Sequence, residues 1–267
     1  MNTPADAYQR CQAASRSELF SYLNSNSGEL RYAAARRLQF LPIGELADVW
    51  RQKLNDGSPY GREIAAFLMG QPQQEHHSHA EEIRRELACL LHDSNPAVQA
   101  AAIAALSHRF AKRHLSRQDF SGSLYAGITG ILHSRNAELH AAVCMGAHAF
   151  PGCPLIEQFL IRQLDNPNHE TASWALFSLD QHTPPYTNPT IRPALLRLLG
   201  NIPAGSPFYH DIIASLVTRC EPAVLPILDA LLEQDDLDGH IADALENSTN
   251  PAFAQSRRHL KERFADG

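Results

Sequence analysis

Residues 91–106 read LHDSNPAVQAAAIAAL. A leucine is followed by a polar turn and then a helix whose residues 97–106 include six alanines and one isoleucine. Alanine is the smallest side chain that still favours a helix. A helix so rich in it expects another backbone close by. The same layout returns at 23–38 (LNSNSGELRYAAARRL), 132–147 (LHSRNAELHAAVCMGA) and 164–179 (LDNPNHETASWALFSL). With small insertions, 54–69, 199–216 and 232–245 join them. The leading leucines, Leu23, Leu54, Leu91, Leu132, Leu164, Leu199 and Leu232, lie 31, 37, 41, 32, 35 and 33 residues apart. A period in this range marks an array of helix pairs.

Each unit reads as helix A, a turn, then helix B. The A helices are expected at 18–24, 45–55, 80–92, 119–133, 154–165, 190–200 and 222–234. The B helices are expected at 29–41, 60–70, 96–109, 136–149, 169–180, 207–219 and 238–247. No sustained apolar/polar alternation and no Asn-Gly or Asp-Gly hairpin signal, with strand-like alternation on both sides, points to strands. Pro59, Pro96, Pro154, Pro207, Pro222 and Pro251 stand where helices start, where a missing N–H costs nothing. Pro193 and Pro226 should kink an A helix or delay its start. Segments 71–79, 110–118 and 182–189 read as linkers. In the helix after Pro96, Val98, Ala101, Ala102, Ala105 and Leu106 share one face. The fold class is therefore all-α: one domain, 1–267, built as a right-handed α-α superhelix of about seven helix pairs. Residues 1–16 form an N-terminal cap, and the charged helix 251–265 caps the other end.

Composition bounds the function. The chain is 44% hydrophobic and 19% charged, enough to bury a core. No apolar run approaches the roughly 20 residues that cross a bilayer, and the start, MNTPADAYQRCQAASRSELF, has no signal-peptide stretch. Five scattered cysteines without a CxxC suit free thiols in a reducing cytosol. A monomeric cytoplasmic protein is expected. A net charge of −6 disfavours general nucleic-acid binding, which relies on cations to displace counterions from phosphate. Between Arg219 and Arg257 there is no Lys or Arg but eight acids: Glu221, Asp229, Glu233, Asp235, Asp236, Asp238, Asp243 and Glu246.

The residues resemble the HEAT-repeat family of α-solenoids. Residues 222–247 look like its proline-kinked form, and Asp56 with Arg62 and Asp93 with Val98 resemble its turn, although Gln99 replaces the family's usual Arg. The strings YQRCQ, SELFSYL, REIAAFLMGQ (62–71), SWALFSL (173–179) and LPILDALLEQDD (225–236) are similar to small HEAT-repeat proteins encoded beside Rhs-type polymorphic toxins. That resemblance implies an immunity protein that binds and neutralises a cognate toxin domain without catalysis. A general cytosolic scaffold is the alternative. Some HEAT-like proteins are DNA glycosylases or bilin-lyase-type enzymes, but the B helices here are not basic and nothing suggests a chromophore site.

Candidate sites are few. His76, His77 and His79, in the EHHSH of 75–79, could ligate a metal, yet they sit in a presumed loop without a second ligand cluster; no metal and no cofactor is expected. There is no GxSxG, P-loop or GxGxxG. Gly127-Ile128-Thr129-Gly130 reads as helix interior, and Cys144 as core. The run RFAKRHLSR (109–117) reads as a solvated loop that could meet phosphate or an acidic partner. The acidic stretch either confers solubility or captures a basic partner, such as a toxin domain. Partner contacts are expected on a concave row of B helices, extended by the acidic turn 233–238: Tyr32, Arg36, Glu63, Phe67, His140, His148, Trp174, Phe177, Tyr209, Asp211, Asp235, Asp236 and Asp238. Phe208 is a further aromatic candidate. Tyr32, Arg36 and Arg62 could instead form a polar ladder between repeats, and Trp174 and Phe177 could fill the core.

Overall fold

A computed structural model describes residues 3–71, 77–182, 186–234 and 237–265. Among the described residues there are sixteen α-helices and no strand. Helix α1 (Pro4–Ala13) opens the chain. Seven pairs follow: α2 (Arg16–Tyr22) with α3 (Gly28–Leu38), α4 (Ile43–Asn55) with α5 (Pro59–Gly70), α6 (His77–Leu90) with α7 (Pro96–Ala111), α8 (Gly122–Leu132) with α9 (Ala137–Gly146), α10 (Pro154–Gln163) with α11 (His169–Gln181), α12 (Ile191–Leu199) with α13 (Pro207–Thr218), and α14 (Leu225–Gln234) with α15 (Gly239–Asn247). The last helix is α16 (Ala254–Ala265). Short 3-10 turns, Pro222–Val224 and Pro251–Phe253, lead into α14 and α16.

The expected helices are all present, with ends displaced by a few residues. Two details differ, and for a pair of prolines one of two expected outcomes is met. The N-terminal cap contains a full helix, α1, opened by a capping box between Thr3 and Asp6. Residues 77–79 belong to the first turn of α6, not to a linker. Pro193 and Pro226 sit at the third and second positions of α12 and α14, so they delay the helix start rather than kink it.

The chain forms two compact units, residues 1–156 and 157–267. In the first, the alanines answer the opening question. Ala102 and Ala105 are buried, and a β-carbon on Gly70 would stand 2.8 Å from the Ala105 Cα. The backbones of α5 and α7 thus meet with almost no side chain between them. On the far side of α7, a β-carbon on Gly146 of α9 would reach 3.1 Å from that of Ser107. Not every alanine serves this contact: Ala97, Ala104 and Ala111 of α7 are exposed.

A tripeptide precedes most B helices, and its geometry repeats. Ser25, Asp56, Asp93, Ser134 and Asn166 each accept, through the side chain, the backbone N–H two residues on. That next residue, Ser27, Ser58, Asn95, Asn136 or Asn168, then caps the first turn of the B helix. Ser248 and Asn250 repeat the arrangement before α16. Of the leading leucines, six are buried at the ends of A helices and Leu54 is half-buried.

Candidate protein-binding site

In unit 1 several candidate contact residues turn out to join repeats to each other. Tyr32 donates its hydroxyl to Glu63 at 2.7 Å and sets its ring edge-on to Phe67 at 5.3 Å. Burial and then the Glu63 carboxylate push the Tyr32 hydroxyl above the ordinary tyrosine range. Arg62 donates twice to Asp93, at 2.6 and 3.0 Å; the fork matches the carboxylate. Arg51 holds Glu82 the same way, at 2.7 and 2.6 Å, and that guanidinium holds the Glu82 carboxyl down at about 2. Tyr32 and Arg62 therefore belong to a polar ladder, and Arg36 is exposed beside it.

A second regularity lies one residue after the first buried position of each B helix of unit 1. There stand Arg31, Arg62, Gln99 and His140. Each donates back to a carbonyl at or just before its own turn: Ser25 at 2.7 Å, Gly57 at 2.9 Å, Leu91 at 2.9 Å and Ser134 at 2.7 Å. His140 is thus bound to its own turn, and Gln99 does the work of the absent arginine. His148 contacts the Met145 carbonyl at 3.0 Å.

The basic run departs from the expected solvated loop at its first residue. Arg109 is completely buried and donates to the Met69 carbonyl at 3.2 Å; His108 lies 2.6 Å from the Gly70 carbonyl. Both meet carbonyls in the last turn of α5, which have no partner within their own helix. Phe110 and Leu115 are buried with Arg109. Of the histidine cluster, His76 lies outside the described residues. His79 packs edge-on to the buried Trp50 and lies 3.4 Å from Glu82. Among the described residues no group of three potential ligands could hold a metal. Cys144 is buried, its thiol pushed up to about 12 by that burial, so it has little thiolate character.

Unit 2 is arranged differently. Buried residues repeat along its B helices: Ala175 and Leu179 on α11, Ile212 and Leu216 on α13, Ile241 and Leu245 on α15. The residue before the first of each pair is Trp174, Asp211 and His240; two residues after it come Phe177, Ala214 and Asp243. These positions form two rows on the solvent side. Trp174 is half-buried, and Phe177, its edge-on neighbour at 5.6 Å, is 41% exposed. The pair does not fill the core. Asp211 is exposed at the residue level. Its carboxyl is nevertheless pushed up by packing against its neighbours, His240 opposing the shift and Asp238 reinforcing it. Asp211 and His240 are close enough to feel each other's charge.

Other residues here are structural. Asp238 caps α15, accepting from the His240 N–H at 2.8 Å. Phe208 is buried and Tyr209, half-buried, follows it on α13. Asp235 and Asp236 lie outside the described residues. Arg219 is committed inward, donating to Asp180 at 2.7 Å and to the Tyr186 and Leu179 carbonyls at 2.7 and 3.1 Å. Ser215 donates to the same carboxylate at 2.9 Å. Burial pushes the Asp180 carboxyl up and Arg219 opposes it. A cleft of about 460 Å³ beside this pair is lined by Asn188, Ile191, Arg192 and Cys220.

No protein-family model and no curated sequence matches the chain. A solved structure does: the X-ray structure of YibA of E. coli aligns with a TM-score of 0.74, covering 98% of this chain and 97% of that one at 19% identity. This is the fold of a helical-repeat protein. A designed armadillo repeat protein aligns at a TM-score of 0.41 and 14% identity, over 93% of this chain and 99% of that one. The likeness to YibA extends to the fold. Among the described residues no helix is long and apolar enough to cross a membrane.

Proposed function

We propose that this chain is a protein-binding helical-repeat scaffold, and that its partner is a cognate Rhs-type toxin domain that it neutralises by direct binding. The observation that carries the binding role is the exposed face of α11, α13 and α15. It pairs aromatic rings with carboxylates, and the sequence supplies no Lys or Arg from 220 to 256 to balance them. Aromatic side chains at a surface supply large contact area at low entropic cost. Uncompensated acids attract a basic partner and speed its encounter. The toxin assignment rests on the strings that resemble immunity proteins beside Rhs-type toxins. No catalytic step is proposed.

Co-expression with an Rhs-type toxin domain, should one be encoded in the neighbouring gene, tests the proposal. Growth should be rescued, and the two proteins should co-purify as one species. Absence of rescue together with absence of a complex would leave only the general scaffold.

A further inference from the structure

The two rows on α11, α13 and α15 carry a sharper reading of the partner. It rests on the binding role proposed above. Trp174 and Asp211 occupy the same position on adjacent helices, and Phe177 lies edge-on to Trp174. Helices packed side by side lie about 8–10 Å apart. The α11 and α13 helices are in contact, so the ring and the carboxylate stand on neighbouring helices of one face. At the next step of the row the small, half-buried Ala214 stands between Phe177 and Asp243. Arg219, the cation that follows α13, is committed to Asp180 and to backbone carbonyls. Neither α14 nor α15 carries a Lys or Arg.

The geometry points to an arginine receptor: Trp174, Phe177 and Asp211 accept an arginine side chain of a partner protein. A guanidinium is planar, stacks on aromatic faces and donates two parallel hydrogen bonds to a carboxylate. It satisfies ring and acid at once. A lysine ammonium satisfies the acid but offers no flat surface to the ring. Ala214 leaves room for an aliphatic side chain next to that arginine. The partner segment is thus basic and amphipathic, not uniformly cationic.

Matched peptides that alternate Leu and Gly with either Arg or Lys provide the test. The chain has two tryptophans, and Trp50 is wholly buried. Its indole N–H signal in a two-dimensional NMR spectrum therefore serves as an internal reference for that of Trp174. The Arg peptide should shift the Trp174 signal saturably and bind about threefold or more tighter than the Lys peptide. Asp211→Asn, at an exposed position, should abolish that preference without altering the Trp50 signal. Equal binding of both peptides, or an unmoved Trp174 signal, would overturn the receptor in favour of diffuse electrostatics. Growth rescue separates the two proposals. Rescue by the unaltered chain that survives unchanged in Trp174→Ala/Asp211→Asn sinks the arginine receptor and leaves immunity standing. No rescue by either protein, with the Arg preference intact, sinks immunity alone.

Discussion

Gly70 has no β-carbon, and for that reason Ala105 can lie against it. Gly130, on α8, has nothing within 4 Å of the point where a β-carbon would be. The two glycines should respond oppositely to the same substitution. Gly70→Ala pushes a methyl group to 2.8 Å from the Ala105 backbone, which must separate α5 from α7; it should cost about 1–3 kcal/mol. Gly130→Ala adds a helix-favouring residue in open space and should stabilise by roughly 0.5–1 kcal/mol. Urea unfolding of both variants checks the pair, and a destabilised Gly130→Ala would show that this glycine is kept for contact. Arg113 offers a third test at this scale. It is exposed and holds φ at 60° immediately after α7. There the His114 N–H reaches the Arg109 carbonyl at 2.9 Å and the Arg113 N–H reaches that of Phe110 at 3.0 Å. This is a Schellman end, normally given to glycine. Arg113→Gly should raise stability by about 1 kcal/mol, seen as a higher denaturation midpoint with an unchanged slope. Cys220 closes α13 with the same bonds and φ 58°.

At the scale of the element, the unit is a B helix with the turn before it. Its core face was legible in the sequence: Val98, Ala102, Ala105 and Leu106 are buried as their spacing required, with Ala101 at the edge. The turn was only half legible. An Asp was expected there, but Ser25, Ser134 and Asn166 do what Asp56 and Asp93 do. A search for Ser, Asp or Asn two residues before a capping Ser or Asn would have found the pattern. His140 and Gln99 were opaque for a similar reason. Their role is a donor N–H aimed at a turn carbonyl, and Arg, Gln and His all supply one. The sequence places His77 and His79 in a loop because α6 has no strong cap signal before residue 80. The rung between A helices makes a pH prediction. Arg51 lowers Glu82 from its ordinary 4.5 to about 2. The folded state therefore binds that proton less readily than the unfolded chain. The contribution of the pair is complete above pH 4.5 and is lost as pH falls toward 2. Because Arg51 is partly exposed, Glu82→Gln should cost only about 1 kcal/mol at pH 7. Unfolding curves from pH 7 to 3 should show the two proteins converging below pH 4.5. A constant difference would mean that the hydrogen bonds, not the charge, supply the stability.

For the whole molecule the balance of charge sets the prediction. The eight acids from Glu221 to Glu246 face no cation in that stretch. Reversing Asp235, Asp236 and Asp243 to Lys leaves the Asp238 cap in place and should slow association with a basic partner. The slowing should be about tenfold or more at low salt and should vanish as salt rises. Stopped-flow mixing at several ionic strengths measures it, and a rate that ignores both charge and salt would remove these acids from the docking path. The sequence by itself determined the helix pairs, their number and their buried faces. Those follow from hydrophobic period and turn chemistry, which act over a few residues. Only the tertiary structure decided which polar residues are spent between repeats and which stay open to a partner. Tyr32, Arg109 and Arg219 look like surface residues in one dimension. Each is claimed by a group 31 to 40 residues away, and no local pattern reports which neighbour the stacking of helices will bring within hydrogen-bond reach.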